Sequence, residues 1–289
     1  MSSFSGFKIP ELIAHRGFGF YAPENTVPAF NRAGAMGAEM VEFDVQLSKD
    51  GKLVVIHDES IERTTLGWSD WDAEKSKLVK DLNWEELENL DAGLWFNKDF
   101  AGVRIPLLEQ VIKLCLDNNL LINLEIKTAN RHEESGLSLD PEQDEKITQS
   151  LINWLLEIKE KDLFLFKKIV SGLVISSFSP EALYLVRKNF SEDEVKLAYL
   201  LDIKNWDLDW LRIKEKVKID MSYLSCVSLN LNQEVFLLSD KENRLPEIKS
   251  IAGSAVLLAY TVNDLARARE LKEEFGVAGV FSDQFFQSF

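Results

Sequence analysis

Met40-Val41-Glu42-Phe43-Asp44-Val45, followed by Lys49-Asp50-Gly51-Lys52 and then Leu53-Val54-Val55-Ile56-His57, is the stretch that decides the fold class. Its first run is apolar, β-branched and of strand length, and its last run has the same character. The short link between them cannot hold the crossover that parallel neighbours need, so the second run folds back antiparallel. Asp50-Gly51 is a hairpin turn signal, and a turn centred there sets His57 near Glu42 and Asp44 on the neighbouring strand.

Similar runs recur at residues 12–15, 121–126, 171–177, 196–200, 224–229, 255–260 and 277–281. With residues 40–45 they predict eight parallel strands, several of them separated by segments of helical spacing. The chain has 289 residues, slightly more than the roughly 250 typical of a (β/α)8 barrel, and an α/β TIM barrel is the predicted fold. The clearest helix starts follow Pro23-Glu24-Asn25-Thr26 and Ser179-Pro180-Glu181, and fall at Asn263-Asp264-Leu265-Ala266. Residues from about 61 to 106 read as an insertion over the barrel mouth. Packing of this insertion onto the barrel explains Trp68, Trp71, Trp84 and Trp95 more simply than a roof over a pocket does. Without a linker, a low-complexity tract or a sign of a second core, residues 1–289 are expected to form a single domain.

Composition narrows the function. Lys and Arg total 33 against 48 for Asp and Glu, a net charge of -15 that repels polyphosphates and anionic lipid alike. A nucleic-acid partner is therefore not expected. Cys115 and Cys226 both sit in apolar stretches and read as buried free thiols. With no signal-peptide pattern and no membrane-spanning run, a soluble cytoplasmic protein without a stable membrane anchor is predicted.

Ionisable residues gather where barrel strands end, the face on which barrel active sites are built. His15-Arg16-Gly17 closes the first strand, Glu42-Phe43-Asp44 lies on the second, His57-Asp58 ends the hairpin return, and Glu125-Ile126-Lys127 closes the third. Residues two apart on a strand share a face, so Glu42, Asp44 and Glu125 can converge. An all-oxygen set suits a hard divalent cation, Mg2+ or Ca2+; the alternative is a structural ion network with Arg16 and Lys127. His15 and His57 beside such a centre form an acid–base pair, whereas His132 sits in a polar loop. Arg16 and Lys127 are placed to face a phosphate. For Gly17 and for Glu24-Asn25-Thr26, a tight turn and a helix cap are the simplest roles.

In this order, His15-Arg16-Gly17, Glu24-Asn25-Thr26, Glu42-Phe43-Asp44-Val45, His57-Asp58, Arg63-Thr64-Thr65 and Glu125-Ile126-Lys127 resemble the motif series of the glycerophosphodiester phosphodiesterases. The resemblance continues through Leu90-Asp91-Ala92-Gly93, residues 105–109, Ser177-Phe178, Thr261-Val262-Asn263 and Gly279-Val280-Phe281-Ser282-Asp283. It implies a (β/α)8 barrel with a small insertion, a glycerophosphodiester substrate and one divalent cation, commonly Mg2+ or Ca2+. Position by position it implies Glu42, Asp44 and Glu125 as metal ligands, His15 and His57 as catalytic residues, and Arg16 and Lys127 as phosphate contacts. Tyr260, Leu107 and Ala278 depart from the family pattern, and Tyr260 either offers the substrate an aromatic face and a hydroxyl or is a buried barrel tyrosine.

The expected reaction is metal-assisted cleavage to sn-glycerol 3-phosphate and an alcohol, with His15 as base and His57 as acid following the family. The nucleophile is water or the neighbouring glycerol hydroxyl. Two alternatives stand beside this reading: a phospholipase D-like or phosphoinositide-specific lipase, and a noncatalytic sensor that binds glycerophosphodiesters.

Overall fold

Strand Met40–Leu47 (β2) is buried along its whole length because both of its faces are covered. Val41, Phe43 and Val45 turn outward to pack under the helices, while Glu42 and Asp44 turn inward. The computed structural model describes residues 7–68, 75–128, 140–202, 211–238 and 245–287. Among these, Leu12–Ala14 (β1), β2, Leu53–Val55 (β3), Leu121–Ile126 (β4), Leu173–Ser177 (β5), Lys196–Leu201 (β6), Ser228–Asn232 (β7), Val256–Tyr260 (β8) and Gly279–Ser282 (β9) form one sheet. Its order is β1-β9-β8-β7-β6-β5-β4-β2-β3, and an additional β1–β2 pairing closes it. Eight strands are parallel, and β3 alone runs antiparallel, against β2. The predicted (β/α)8 barrel is the fold.

The hairpin turns at Asp50-Gly51 as predicted, but Val45 faces Val55 and Leu47 faces Leu53, so its pairs centre on Asp50, with Gly51 at φ +80°. Helices cover the barrel, among them Val27–Ala35 (α1), the one-turn Trp84–Leu87 (α2), Leu108–Asp117 (α3), Pro141–Lys161 (α4), Leu163–Ser171 (α5), Pro180–Asn189 (α6) and Leu211–Leu224 (α7), with Leu265–Phe275 (α10) last in the chain. Two further helices, Glu234–Leu238 (α8) and Leu245–Ala252 (α9), lie between β7 and β8. Ser179 and Asp264 cap α6 and α10 by accepting from Ala182 N–H and Arg267 N–H, as predicted.

At two strands the expected start falls on the end of a helix. The seventh strand is Ser228–Asn232 rather than residues 224–229, because Leu224 ends α7 and the chain turns at Ser225, φ +50°. A short apolar run does not separate a buried helix end from a strand start, and the inward Asn230 and Asn232 hide the true strand. Ser171 likewise closes α5, and β5 starts at Leu173.

Inside the barrel, Ile13, Met40, Val174, Ala198, Leu258 and Phe281 form an apolar floor. The insertion contains a one-turn helix, Trp84–Leu87 (α2), and a small apolar cluster that the sequence did not announce. Ile61, Val79, Leu82, Leu87, Leu90, Ala92 and Ile105 pack there against Val54 and Ile56 of the hairpin return. Trp68 and Trp84 lie against this cluster, whereas Trp95 packs edge-on to Phe96 and is not part of it; Trp71 falls outside the described residues. The cluster fixes the strand that leads to His57.

Gly17 is needed for the first turn. Its φ is +84°, and a Cβ there would lie 2.8 Å from the backbone carbon and the Cβ of Ala29 on α1. Gly17→Ala is expected to cost about 1–3 kcal/mol of stability, read as a lower urea midpoint at unchanged slope. An unchanged midpoint would contradict this packing.

Candidate functional site

The end of β1 breaks into a 3-10 turn, His15–Gly17, rather than continuing as strand through His15. Arg16 holds a left-handed backbone, φ 50°, a conformation that costs a non-glycine residue about 1–3 kcal/mol. Its N–H donates to Glu42 Oε2 at 3.0 Å, and its Nη1 donates to Glu24 Oε1 at 2.8 Å. Its Nε lies 3.4 Å from Asp44 Oδ2. These contacts offset the strain and turn the His15 and Arg16 side chains toward the mouth.

Strands β2 and β4 supply the acids. Their register pairs Asp44 with Glu125 and Glu42 with Asn123, so alternation along each strand puts all three carboxylates on the inner face. Ligand oxygens of Glu42, Asp44 and Glu125 lie within 4.8 Å of one another. Two oxygens bound to one cation at about 2.1–2.5 Å can be separated by at most about 4–5 Å, so this oxygen set could hold a hard divalent cation.

Burial, then the charges of Asp44 and Glu125, push the Glu42 carboxyl well above the usual carboxylate range. Burial alone would raise Asp44 as well, but Lys127 and Arg16 hold it well below its ordinary value. Asn25 helps by donating Nδ2–H to Asp44 Oδ2 at 2.8 Å. Lys127 Nζ donates to Glu125 Oε1 at 2.7 Å and lies 3.5 Å from Asp44 Oδ1. Burial disfavours its charge, yet Glu125 and Asp44 keep it protonated.

Each histidine is braced at Nδ1 by a carboxylate. His15 Nδ1 lies 2.6 Å from Asp283 Oδ1, and Asn263 donates Nδ2–H to Asp283 Oδ2 at 2.8 Å. His57 Nδ1 lies 2.6 Å from Asp58 Oδ1. This pairing commits Nδ1 of each ring, and His15 Nε2 lies 3.9 Å from Glu42 Oε2.

A cavity of about 420 Å³ opens over this ground, lined by His15, Arg16, Glu42, His57, Glu125 and Lys127 from β1 to β4 and their loops. Asp44 stands behind this wall, 1% exposed. Strands β5 to β9 supply a less charged wall that includes Phe178, Leu200, Tyr260 and Phe281. Tyr260 packs edge-on to Phe178, with 5.9 Å between centroids, and spends its hydroxyl on the Leu201 carbonyl at 3.1 Å. Its ring therefore serves the pocket and its hydroxyl the wall.

Thus the eight residues expected at the site come together there, and His132 lies outside the described residues. Asp283, Asn263, Asn25 and Arg63 were not singled out for this work. The Thr26 hydroxyl donates to the Pro23 carbonyl and caps no helix N–H, so Glu24 and Asn25 serve the site rather than the helix end. The paired acids of His57-Asp58 and Ser282-Asp283 were visible, but only the fold shows which ring each one meets.

A (β/α)8 barrel whose C-terminal mouth gathers two imidazoles and three clustered carboxylates around one cavity has, by class, the layout of a barrel enzyme. The profile of the Glycerophosphoryl diester phosphodiesterase family matches residues 15–285, and the chain belongs to that family of hydrolases. A glycerophosphodiester phosphodiesterase of Caldanaerobacter subterraneus subsp. tengcongensis is 40% identical over 65% of this chain and 66% of its own length. The chain thus matches just under two thirds of that relative. One from Bacillus subtilis is 30% identical over 94% of this chain and 82% of its own. Among solved structures, an Oleispira antarctica phosphodiesterase in complex with the product sn-glycerol-3-phosphate superposes with TM-score 0.70 at 28% identity, covering 95% of this chain and 93% of that one.

The raised Glu42 carboxyl has a stability consequence. Without metal the folded value of this carboxyl lies above the unfolded one, so the associated stability is present in acid and is lost as pH rises through the folded value. In EDTA, Glu42→Gln is therefore expected to gain stability relative to wild type as pH rises above the ordinary carboxylate range, measured by urea unfolding. A difference that stays constant with pH would contradict the placement of this charge.

Proposed function

We propose that the chain hydrolyses glycerophosphodiesters to sn-glycerol 3-phosphate and an alcohol, with one divalent cation, Mg2+ or Ca2+, held by Glu42, Asp44 and Glu125. The observation that carries this reading is the convergence of the three carboxylates with two carboxylate-braced histidines in one cavity. When bound, the cation supplies Lewis-acid polarisation of a nonbridging phosphate oxygen.

The residues of the chain do the rest. Arg16 and Lys127 line the cavity beside the acids and orient the phosphate, offsetting the negative charge that grows on its oxygens. His15, its Nδ1 proton held by Asp283, accepts the nucleophile's proton at Nε2. His57, protonated and held by Asp58, delivers its Nε2 proton to the leaving alkoxide. Phe178 and the Tyr260 ring bound the pocket opposite the acids and keep water from that side of the substrate.

The whole chain works as one catalytic unit, with residues 61–106 as its insertion. Two buried free thiols, Cys115 and Cys226, suit the reducing cytoplasm. Among the described residues no helix is long and apolar enough to cross a membrane.

Release of sn-glycerol 3-phosphate from glycerophosphocholine and glycerophosphoethanolamine tests the reading. Turnover is expected to stop in EDTA and to return with Mg2+ or Ca2+, and His15→Ala and His57→Ala are each expected to lose about 10²- to 10⁴-fold in kcat. Turnover that survives EDTA, or that tolerates both substitutions, would refute it.

A further inference from the structure

His57 sits just beyond the end of β3, where the strand ladder no longer holds it. The last ladder pair is Val45 with Val55, and one more bond runs from Ile56 N–H to the Asp44 carbonyl at 3.1 Å. Buried Gln46 then donates Nε2–H to the His57 carbonyl at 3.0 Å. These contacts fix the backbone, but the imidazole itself depends on Asp58.

Asp58 depends in turn on the insertion. Arg63 donates Nε–H to Asp58 Oδ2 at 2.5 Å and Nη2–H to Asp58 Oδ1 at 2.8 Å. The same guanidinium donates Nη1–H to Glu24 Oε2 at 2.9 Å and Nη2–H to Glu24 Oε1 at 2.7 Å. One planar fork thus grips two carboxylates, and Glu24 passes the connection on to Arg16 Nη1 at 2.8 Å. The brace on His15 is different, since Asp283 takes its second partner, Asn263, from a neutral amide.

We propose that Arg63 is the positioning residue of His57: by locking the Asp58 carboxylate it fixes the imidazole with Nδ1–H toward Asp58 and Nε2 toward the cavity. Arg63 is not among the residues lining that cavity, so it acts through Asp58 and not by touching substrate. This gives the insertion a role in the chemistry, and it rests on the reading of His57 as a proton-transfer residue. A planar fork is required, because a lysine ammonium cannot hold two carboxylates edge-on.

Steady-state kinetics of Arg63→Ala and Arg63→Lys, with His57→Ala alongside, test the proposal. Both Arg63 variants are expected to lose about 10- to 100-fold in kcat. Their KM should stay within about twofold, because no substrate contact is removed. Added guanidinium ion is expected to restore kcat in Arg63→Ala and to do nothing for His57→Ala. In long-range 1H–15N spectra, His57 should be a single Nδ1-protonated tautomer in wild type and a mixture in Arg63→Ala. Should Arg63→Ala fail to fold, the Arg63→Lys kcat loss at unchanged KM and its His57 tautomer carry the same comparison. Wild-type kcat in a folded Arg63 variant, an unaltered His57 tautomer, or a kcat loss that guanidinium leaves untouched would overturn it. Full activity in His57→Ala would instead overturn the function on which it rests.

Discussion

Three carboxylates forced together by strand register are the constraint around which this barrel is arranged. Asp44 and Glu125 are register partners on β2 and β4, and Glu42 is two residues before Asp44 on the same face. Alternation leaves none of them another direction to point. Glu42 and Asp44 are 3% and 1% exposed, so water does little to screen their repulsion. Three carboxylates face two cations, Arg16 and Lys127, and burial beside Asp44 and Glu125 pushes the Glu42 carboxyl well above the usual carboxylate range. A divalent cation completes such a set, and a site built this way carries in its metal-free state a cost that binding relieves.

The surrounding structure manages that constraint in layers. The apolar floor of Ile13, Met40, Val174, Ala198, Leu258 and Phe281 supports the acids from beneath. Arg16 accepts a left-handed backbone in order to reach Glu42, Glu24 and Asp44 together. Each imidazole has one nitrogen committed to a carboxylate, and both rings line the cavity beside the acids. The net charge of -15 acquires a local meaning here: the wide surface repels anionic polymers, while cations within the cavity favour a small phosphodiester.

Much of this was legible in the chain because its signals are local. The turn at Asp50-Gly51 sets the hairpin register, and the i, i+2 spacing of Glu42 with Asp44 and of Glu125 with Lys127 sets the face each side chain takes. The braces were not legible in the same way. Asp283 meets His15 across 268 positions of sequence, and Arg63 meets Glu24 across 39, so only barrel closure and the folded insertion create those contacts. Asn25 read as part of a helix cap because that is the commonest use of its side chain, and the proximity of α1 to β2 redirected it to Asp44. The seventh strand was misplaced for a related reason: Asn230 and Asn232 are polar where a barrel strand is usually apolar, and the apolar residues before them belong to a helix end.

The central claim is that Glu42, Asp44 and Glu125 form one cation site at the point where the substrate phosphate arrives. Anomalous diffraction from crystals grown with Mn2+ and sn-glycerol 3-phosphate tests it most directly. The account predicts a single strong peak bounded by those three carboxylates, with the phosphate beside it and His15 and His57 Nε2 facing the ester oxygens. A cavity that binds sn-glycerol 3-phosphate with no peak among the three acids, or with Mn2+ held elsewhere, would contradict it.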